Sequence, residues 1–268
     1  MIKKTKKLTF TGEFMENTII QNFTYFEGMT SISALISAIE SGKNDRKIID
    51  IFFDKSKTES KKRELDFLKS KAKRLNFKIN FVDNETLKNY AEGTTHGGII
   101  ASCTERSNAL LKDSKINPNG IYYMFEGIED PYNFGYVIRS VYAAGADGII
   151  MGPRNWLSAA STVAKSSAGT SELTDMFVCD PVEAVIYLKS LGFQIICAGI
   201  RDSQTIYEAE LKKPMLVVIG GEKRGISRAI LQEADKIVRI DYGRNFRGSL
   251  SSVAATSIIS FEILRKTK

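Results

Sequence analysis

The sequence predicts two successive α/β units, the second built on a mainly parallel sheet. Three observations carry this. The 268 residues are about 1.8 times a typical ~150-residue domain. Buried-strand runs alternate with helix-period runs along most of the chain. The alternation lapses between Thr104 and Asn119, where polar residues and the Pro118-Asn119-Gly120 turn mark a connection.

In the first unit, Met29 to Ser41 places Ile32, Leu35, Ile36 and Ile39 at helical spacing. Thr30 or Ser31 can cap its start and Gly42 can end it. Ile48 to Phe53 is a buried-strand run. Thr58 to Leu75 is a lysine-rich helix with an apolar stripe of Leu65, Phe67, Leu68, Ala72 and Leu75. Phe77 to Val82 is a strand, Asp83 caps a short helix ending near Tyr90, and Gly98 to Ser102 is a strand. In the second unit, strands are expected at Ile121–Phe125, Gly148–Met151, Phe193–Cys197, Met215–Ile219 and Lys236–Ile240. Helices are expected at Tyr132–Ala144, Val182–Lys189, Ile226–Glu233 and Leu250–Arg265. Strands separated by crossover helices imply a mainly parallel sheet.

Composition narrows the function classes. Hydrophobic residues make up 43% and charged residues 26%, which excludes a disordered or collagen-like chain. No apolar run approaches the ~18–20 residues of a membrane span. The basic Met1-Ile-Lys-Lys-Thr-Lys-Lys7 is not followed by an apolar stretch, so no signal peptide is expected. Cys103, Cys179 and Cys197 are odd in number and widely spaced, which fits reduced thiols in a cytoplasmic protein and no zinc site. The single histidine, His96, lies in a turn before a strand and reads as structural. No metal site is expected.

The net charge is +7, and it is unevenly placed. Residues 1–115 hold 21 Lys and Arg against 15 Asp and Glu; the rest holds 17 against 16. A polyanion-binding unit joined to a near-neutral catalytic unit has this pattern, and so does a merely lysine-rich surface.

Three clusters begin at the carboxyl ends of predicted strands, where open α/β sheets place their ligands. The first runs from Glu126 to Ser140. Asp130-Pro131 starts a helix, Asn133 lies in its first turn, Gly135 suggests tight packing or a ligand nearby, and Arg139 follows six residues after the Asn. The second is Gly220-Gly-Glu-Lys-Arg-Gly-Ile226, a turn whose backbone can approach a ligand directly. It is not a P-loop. The third, Ile240 to Ala255, joins a strand end to a helix of small residues, with Arg244 and Arg247 available to phosphate. Taken singly, each also suits an ordinary strand-to-helix connection. No GxGxxG follows any strand, which argues against a Rossmann-type cofactor site.

In this order and at these separations, the clusters resemble the three motifs of the SpoU (TrmH-type) branch of the SPOUT RNA methyltransferases. Lys165-Ser-Ser-Ala-Gly169 resembles a further family segment. The first unit, with Glu27-Gly28 before a helix and His96-Gly-Gly-Ile-Ile-Ala101 on its last strand, is similar to the small substrate-binding domain that often precedes the catalytic domain. The resemblance implies residues 1–107 as a ribosomal-protein-like α/β RNA-binding domain, 108–119 as linker and 120–268 as a SPOUT domain with a deep trefoil knot. Sequence reasoning alone does not propose a knot.

The resemblance implies S-adenosylmethionine-dependent methylation of a ribose 2′-hydroxyl in structured RNA. The separate N-terminal domain favours ribosomal over transfer RNA. It implies a homodimer through the knotted domain and no membrane partner. It implies a cofactor held largely through backbone groups at Gly199, Gly220, Glu222, Gly225, Ile240, Ser249 and Leu250. Asn133 and Arg139 would be the catalytic pair, and Arg154, Lys165, Arg244 and Arg247 would contact RNA. The third motif departs from the family pattern. Its usual Asn falls on Leu250 or, with a one-residue shift, on Ser251. A non-catalytic RNA-binding or ribosome-assembly protein that kept the fold is the alternative reading. Methylation of a base nitrogen is a weaker third.

Overall fold

A computed structural model describes residues 23–91, 93, 95–153 and 159–268. Two sheets organise them. The first has the order β1-β4-β2-β3. It is built from β1 (Thr24–Glu27), α1 (Met29–Glu40), β2 (Ile48–Asp54), α2 (Lys62–Leu75), β3 (Lys78–Val82), α3 (Asn84–Lys88) and β4 (Ile99–Cys103). β4 runs antiparallel to both neighbours, and β2 and β3 are parallel. The expected stripe of α2 points inward, with Leu65 and Leu68 buried against Phe53, Phe77 and Ile99.

The second sheet has the order β10-β12-β9-β11-β6-β7-β8-β5. Its elements are β5 (Ala109–Leu110), β6 (Ile121–Glu126), α4 (Pro131–Ala143), β7 (Gly148–Met151), α5 (Ala160–Ser166), α6 (Thr170–Leu173), β8 (Met176–Val178), α7 (Pro181–Ser190), β9 (Gln194–Ala198), β10 (Gln204–Thr205), β11 (Met215–Gly220), α8 (Arg228–Glu233), β12 (Lys236–Arg239) and α9 (Ser252–Thr267). Every pairing in it is parallel. The expected α/β class and parallel sheet are therefore borne out.

The strand period of two divides the core between two layers. Tyr123, Phe125, Val217 and Ile219 face α4 and α9, meeting Val137, Ile138, Val141, Ile259 and Ile263. Tyr122, Met124, Leu216 and Val218 face α7 and α8, meeting Val185, Leu188 and Ile230. α4 begins where the sequence places it: the Asp130 carboxylate accepts from the backbone N–H of Tyr132 and Asn133. Gly135 in α4 lies against α5, where a Cβ would overlap Ser166 Oγ and stand 2.8 Å from the Val163 carbonyl. That contact, and not a ligand, requires the glycine.

Four expectations are corrected. The helix expected from Thr58 starts at Lys62, because Asp54 caps a separate 3-10 turn over Lys55–Lys57 and residues 58–61 form a turn before the helix begins. Residues 108–119 are more than a linker, since β5 pairs with β8 at the edge of the second sheet. The strand β1 was not expected, and neither were α5, α6, β8 and β10. The C-terminal helix starts at Ser252, two residues after the expected Leu250, because Ser251 caps it by accepting from Ala254 N–H.

Candidate active site

The carboxyl ends of β9, β11 and β12 diverge around a cavity of about 250 Å³, closed by the segment leading into α9. Gly199, Gly220, Glu222, Gly225, Ile240, Ser249 and Leu250 all line it. Segments remote in sequence thus converge on one site. Sequence reasoning missed several of its walls, among them Ile200, Tyr242, Ser252 and Ala255.

The β11 turn is drawn tight by its own backbone. Gly225, at φ +64°, donates from N–H to the Gly221 carbonyl at 3.0 Å, and Gly221 donates to the Glu126 carbonyl at 2.7 Å. A Cβ on Gly220 would lie 2.7 Å from Gly225 Cα and from Ile226 N. A Cβ on Gly221 would overlap the Gly127 carbonyl. The Glu126 carboxylate accepts from Ser227 N–H at 2.8 Å and so anchors the far end of the turn.

The remaining wall is fastened by two long-range contacts. Glu222 Oε1 accepts from Ser252 N–H at 3.4 Å, tying the turn to the start of α9. The Tyr242 hydroxyl accepts from Leu250 N–H at 3.1 Å and closes the loop between them. At the rim, the Thr205 hydroxyl and the Arg239 guanidinium hold Asp241 below the usual carboxylate range. The cavity combines apolar walls (Ile200, Ile219, Val238, Ile259) with glycine backbone. Such a lining suits a flat, partly apolar ligand carrying hydrogen-bonding edges.

Asn133 and Arg139 do not line this cavity. Asn133 is half-buried in the first turn of α4, its N–H bonded to Asp130 at 3.2 Å. Arg139 is exposed, and its guanidinium has no ion-pair or hydrogen-bond partner among the described residues. Six residues of helix turn the chain through about 600°, so the two side chains leave α4 about 120° apart. Arg139 instead shares an exposed stripe with Tyr132 and Tyr136. Beside it, α9 joins α4 through Ser140 Oγ and Ser257 Oγ at 2.8 Å, and exposes Ile258 and Phe261.

Of the expected RNA contacts, Arg244 and Arg247 are exposed on the loop beside Tyr242. Arg154 lies outside the described residues, as do the tail lysines. Lys165 is engaged elsewhere: its ammonium meets the buried Glu27 carboxylate at 2.8 Å. His96 is buried, its Nδ1 accepting from Gly98 N–H at 3.1 Å, which fits a structural role.

The SpoU rRNA Methylase family model matches residues 120–261, and the model described as RNA 2′-O ribose methyltransferase substrate binding matches residues 32–109. The chain belongs to the SpoU rRNA methylase family. The resemblance read from the three motifs is thereby borne out. Within the family, the chain is 28% identical over 225 residues to the 23S rRNA (guanosine-2′-O-)-methyltransferase RlmB of Ralstonia nicotianae, covering 82% of this chain and 89% of that one. Two solved structures share this fold. One is an RNA 2′-O ribose methyltransferase, with a TM-score of 0.76 at 20% identity, covering 92% of this chain and 90% of that one. The other is an AdoMet-bound rRNA methyltransferase from Sinorhizobium meliloti, with a TM-score of 0.72 at 20% identity, covering 91% and 87%.

Proposed function

We propose that this SpoU-family chain transfers a methyl group from S-adenosylmethionine to a ribose 2′-hydroxyl of ribosomal RNA. The observation that carries the reading is the convergence of the second and third motifs, with Gly199, on one cavity. The site fits the cofactor, because its lining joins the backbone of Gly199, Gly220 and Gly221 to apolar walls, while the glycines let the turn fold tightly enough to form that wall. Bound there, the cofactor supplies an electrophilic methyl on a sulfonium, and no metal is needed.

The protein's own part is binding and charge. Glu222 and Tyr242 hold the cavity closed through Ser252 and Leu250. Arg139 keeps its charge at any physiological pH, so it is a poor base. Its part is to bind phosphate and to lower the pKa of the attacking hydroxyl electrostatically, while Asn133 orients the nucleotide.

A homodimer completes this arrangement. The exposed Tyr132, Tyr136, Ile258 and Phe261 form an apolar face on two packed helices, a feature of interaction surfaces. Arg139 stands in that face, and the reading has it serve the cavity of the partner protomer, since it does not line its own. A trefoil knot in residues 120–268 and a cytoplasmic location belong to the same reading. Three free cysteines support the location. Residues 1–107 would recruit the RNA, with 108–119 joining them to the catalytic part; the matched ranges support this division.

The test is mass spectrometry of ribosomal RNA from a strain lacking the gene. One ribose methyl group should disappear and return on complementation. An unchanged methylation pattern, together with no calorimetric binding of S-adenosylmethionine, would favour the non-catalytic alternative that the missing third-motif Asn raises.

A further inference from the structure

Between the two sheets lies a buried ionic cluster that takes no part in the cofactor cavity. Glu172, on α6 of the second unit, is 3% exposed. Its Oε2 accepts from Arg46 Nε at 2.9 Å and from Asn44 Nδ2 at 2.6 Å, both on the α1–β2 loop of the first unit. Its Oε1 accepts from Ser171 Oγ at 3.3 Å. Arg46 is itself fixed, donating from Nη1 to the Thr104 carbonyl at 2.8 Å and lying 5.2 Å over the Phe26 ring. From the connecting segment, Arg106 donates to the carbonyls of Ser171 and Thr174 at 2.8 and 2.9 Å.

Packing agrees with the ionic contacts. Ala164 of α5 belongs to the hydrophobic core of the first unit. Gly169 sits where a Cβ would overlap Ala34 and stand 3.3 Å from Ser31 Cα, both on α1. The two units therefore meet in one defined pose.

A buried ion pair is a weak source of stability, because the cost of desolvating both charges offsets their attraction. What a multiply hydrogen-bonded buried pair supplies is a single geometry. We propose that Glu172 is a positioning residue for methyl transfer: it clamps the substrate-binding domain in one orientation, so that RNA gripped by that domain is presented to the cavity at a fixed distance. This rests on the reading of the chain as a two-domain RNA methyltransferase.

The test compares wild-type protein with Glu172→Gln and with Arg106→Ala, which removes the half-buried guanidinium that ties the connecting segment to Ser171 and Thr174. Solution scattering, steady-state kinetics on a ribosomal RNA fragment and calorimetry with S-adenosylmethionine are measured on each. Releasing the clamp should raise the radius of gyration and raise KM for the RNA about ten-fold, as the grip loses effective concentration, with kcat and cofactor affinity unchanged. An unchanged radius of gyration or an unchanged KM in both variants overturns the clamp. A fall in kcat and in cofactor-binding stoichiometry at constant KM also overturns it, since that marks lost folded protein. If the wild type methylates no RNA, the methyltransferase reading fails instead, and scattering still decides the clamp.

Discussion

Alanine at Arg139 should lower kcat about a thousand-fold while leaving S-adenosylmethionine affinity within about two-fold of wild type. The separation follows from geometry. Arg139 does not line the cofactor cavity, and no hydrogen bond or ion pair among the described residues depends on its side chain. Its removal leaves the fold and the cavity as they are and takes away one guanidinium near the attacking oxygen. Transfer of a labelled methyl group to RNA, beside calorimetry with the cofactor, reads both quantities. Lysine at the same position keeps the charge but loses the planar fork, so it should recover only part of the rate. Retained turnover in Arg139→Ala would remove this residue from the chemistry.

Gly220→Ala should fail in the opposite way, with S-adenosylmethionine binding weakened about a hundred-fold or more. The atoms a Cβ would meet are backbone atoms of Gly225 and Ile226, which cannot swing aside as a side chain does. The turn must open, and overpacking of this kind costs about 1–3 kcal/mol. A thermal melt should show a modest fall in midpoint, with the cofactor-binding isotherm nearly flat. Wild-type affinity would mean that the cavity at the β11 turn is not the cofactor site. The two variants also test the dimer together. Protomers carrying Arg139→Ala and Gly220→Ala, co-assembled, should regain activity that neither homodimer has, because one intact cavity then faces one intact arginine. No recovery in a demonstrated heterodimer would confine Arg139 to its own protomer.

Much of the second sheet was legible because β6, β9 and β11 are continuous apolar runs, buried on both faces, and their carboxyl ends carry glycines and turn residues that mark the site. The elements that escaped lack such signals. β1 is a four-residue edge strand, and β5 and β10 have two residues each. α5, with the sequence ASTVAKS, has no apolar stripe; its burial comes from α4 on one side and from the first unit on the other. Lys165 illustrates the limit for single residues. A lysine in a family segment invites an RNA contact, and only the fold places Glu27, 138 residues earlier, beside it. Glu172 and Arg46 likewise stand 126 residues apart, a separation at which no local pattern signals a pair.

The sharing of Ala164 between the two units bears on how the chain is made. A ribosome delivers the first sheet complete long before α5 emerges, yet that sheet's core is sealed in part by α5. Until then one side of β1 and α1 stands open to solvent. The first unit therefore gains its last wall, Ala164 of α5, only as the second unit takes shape, so that part of its core closes late in synthesis.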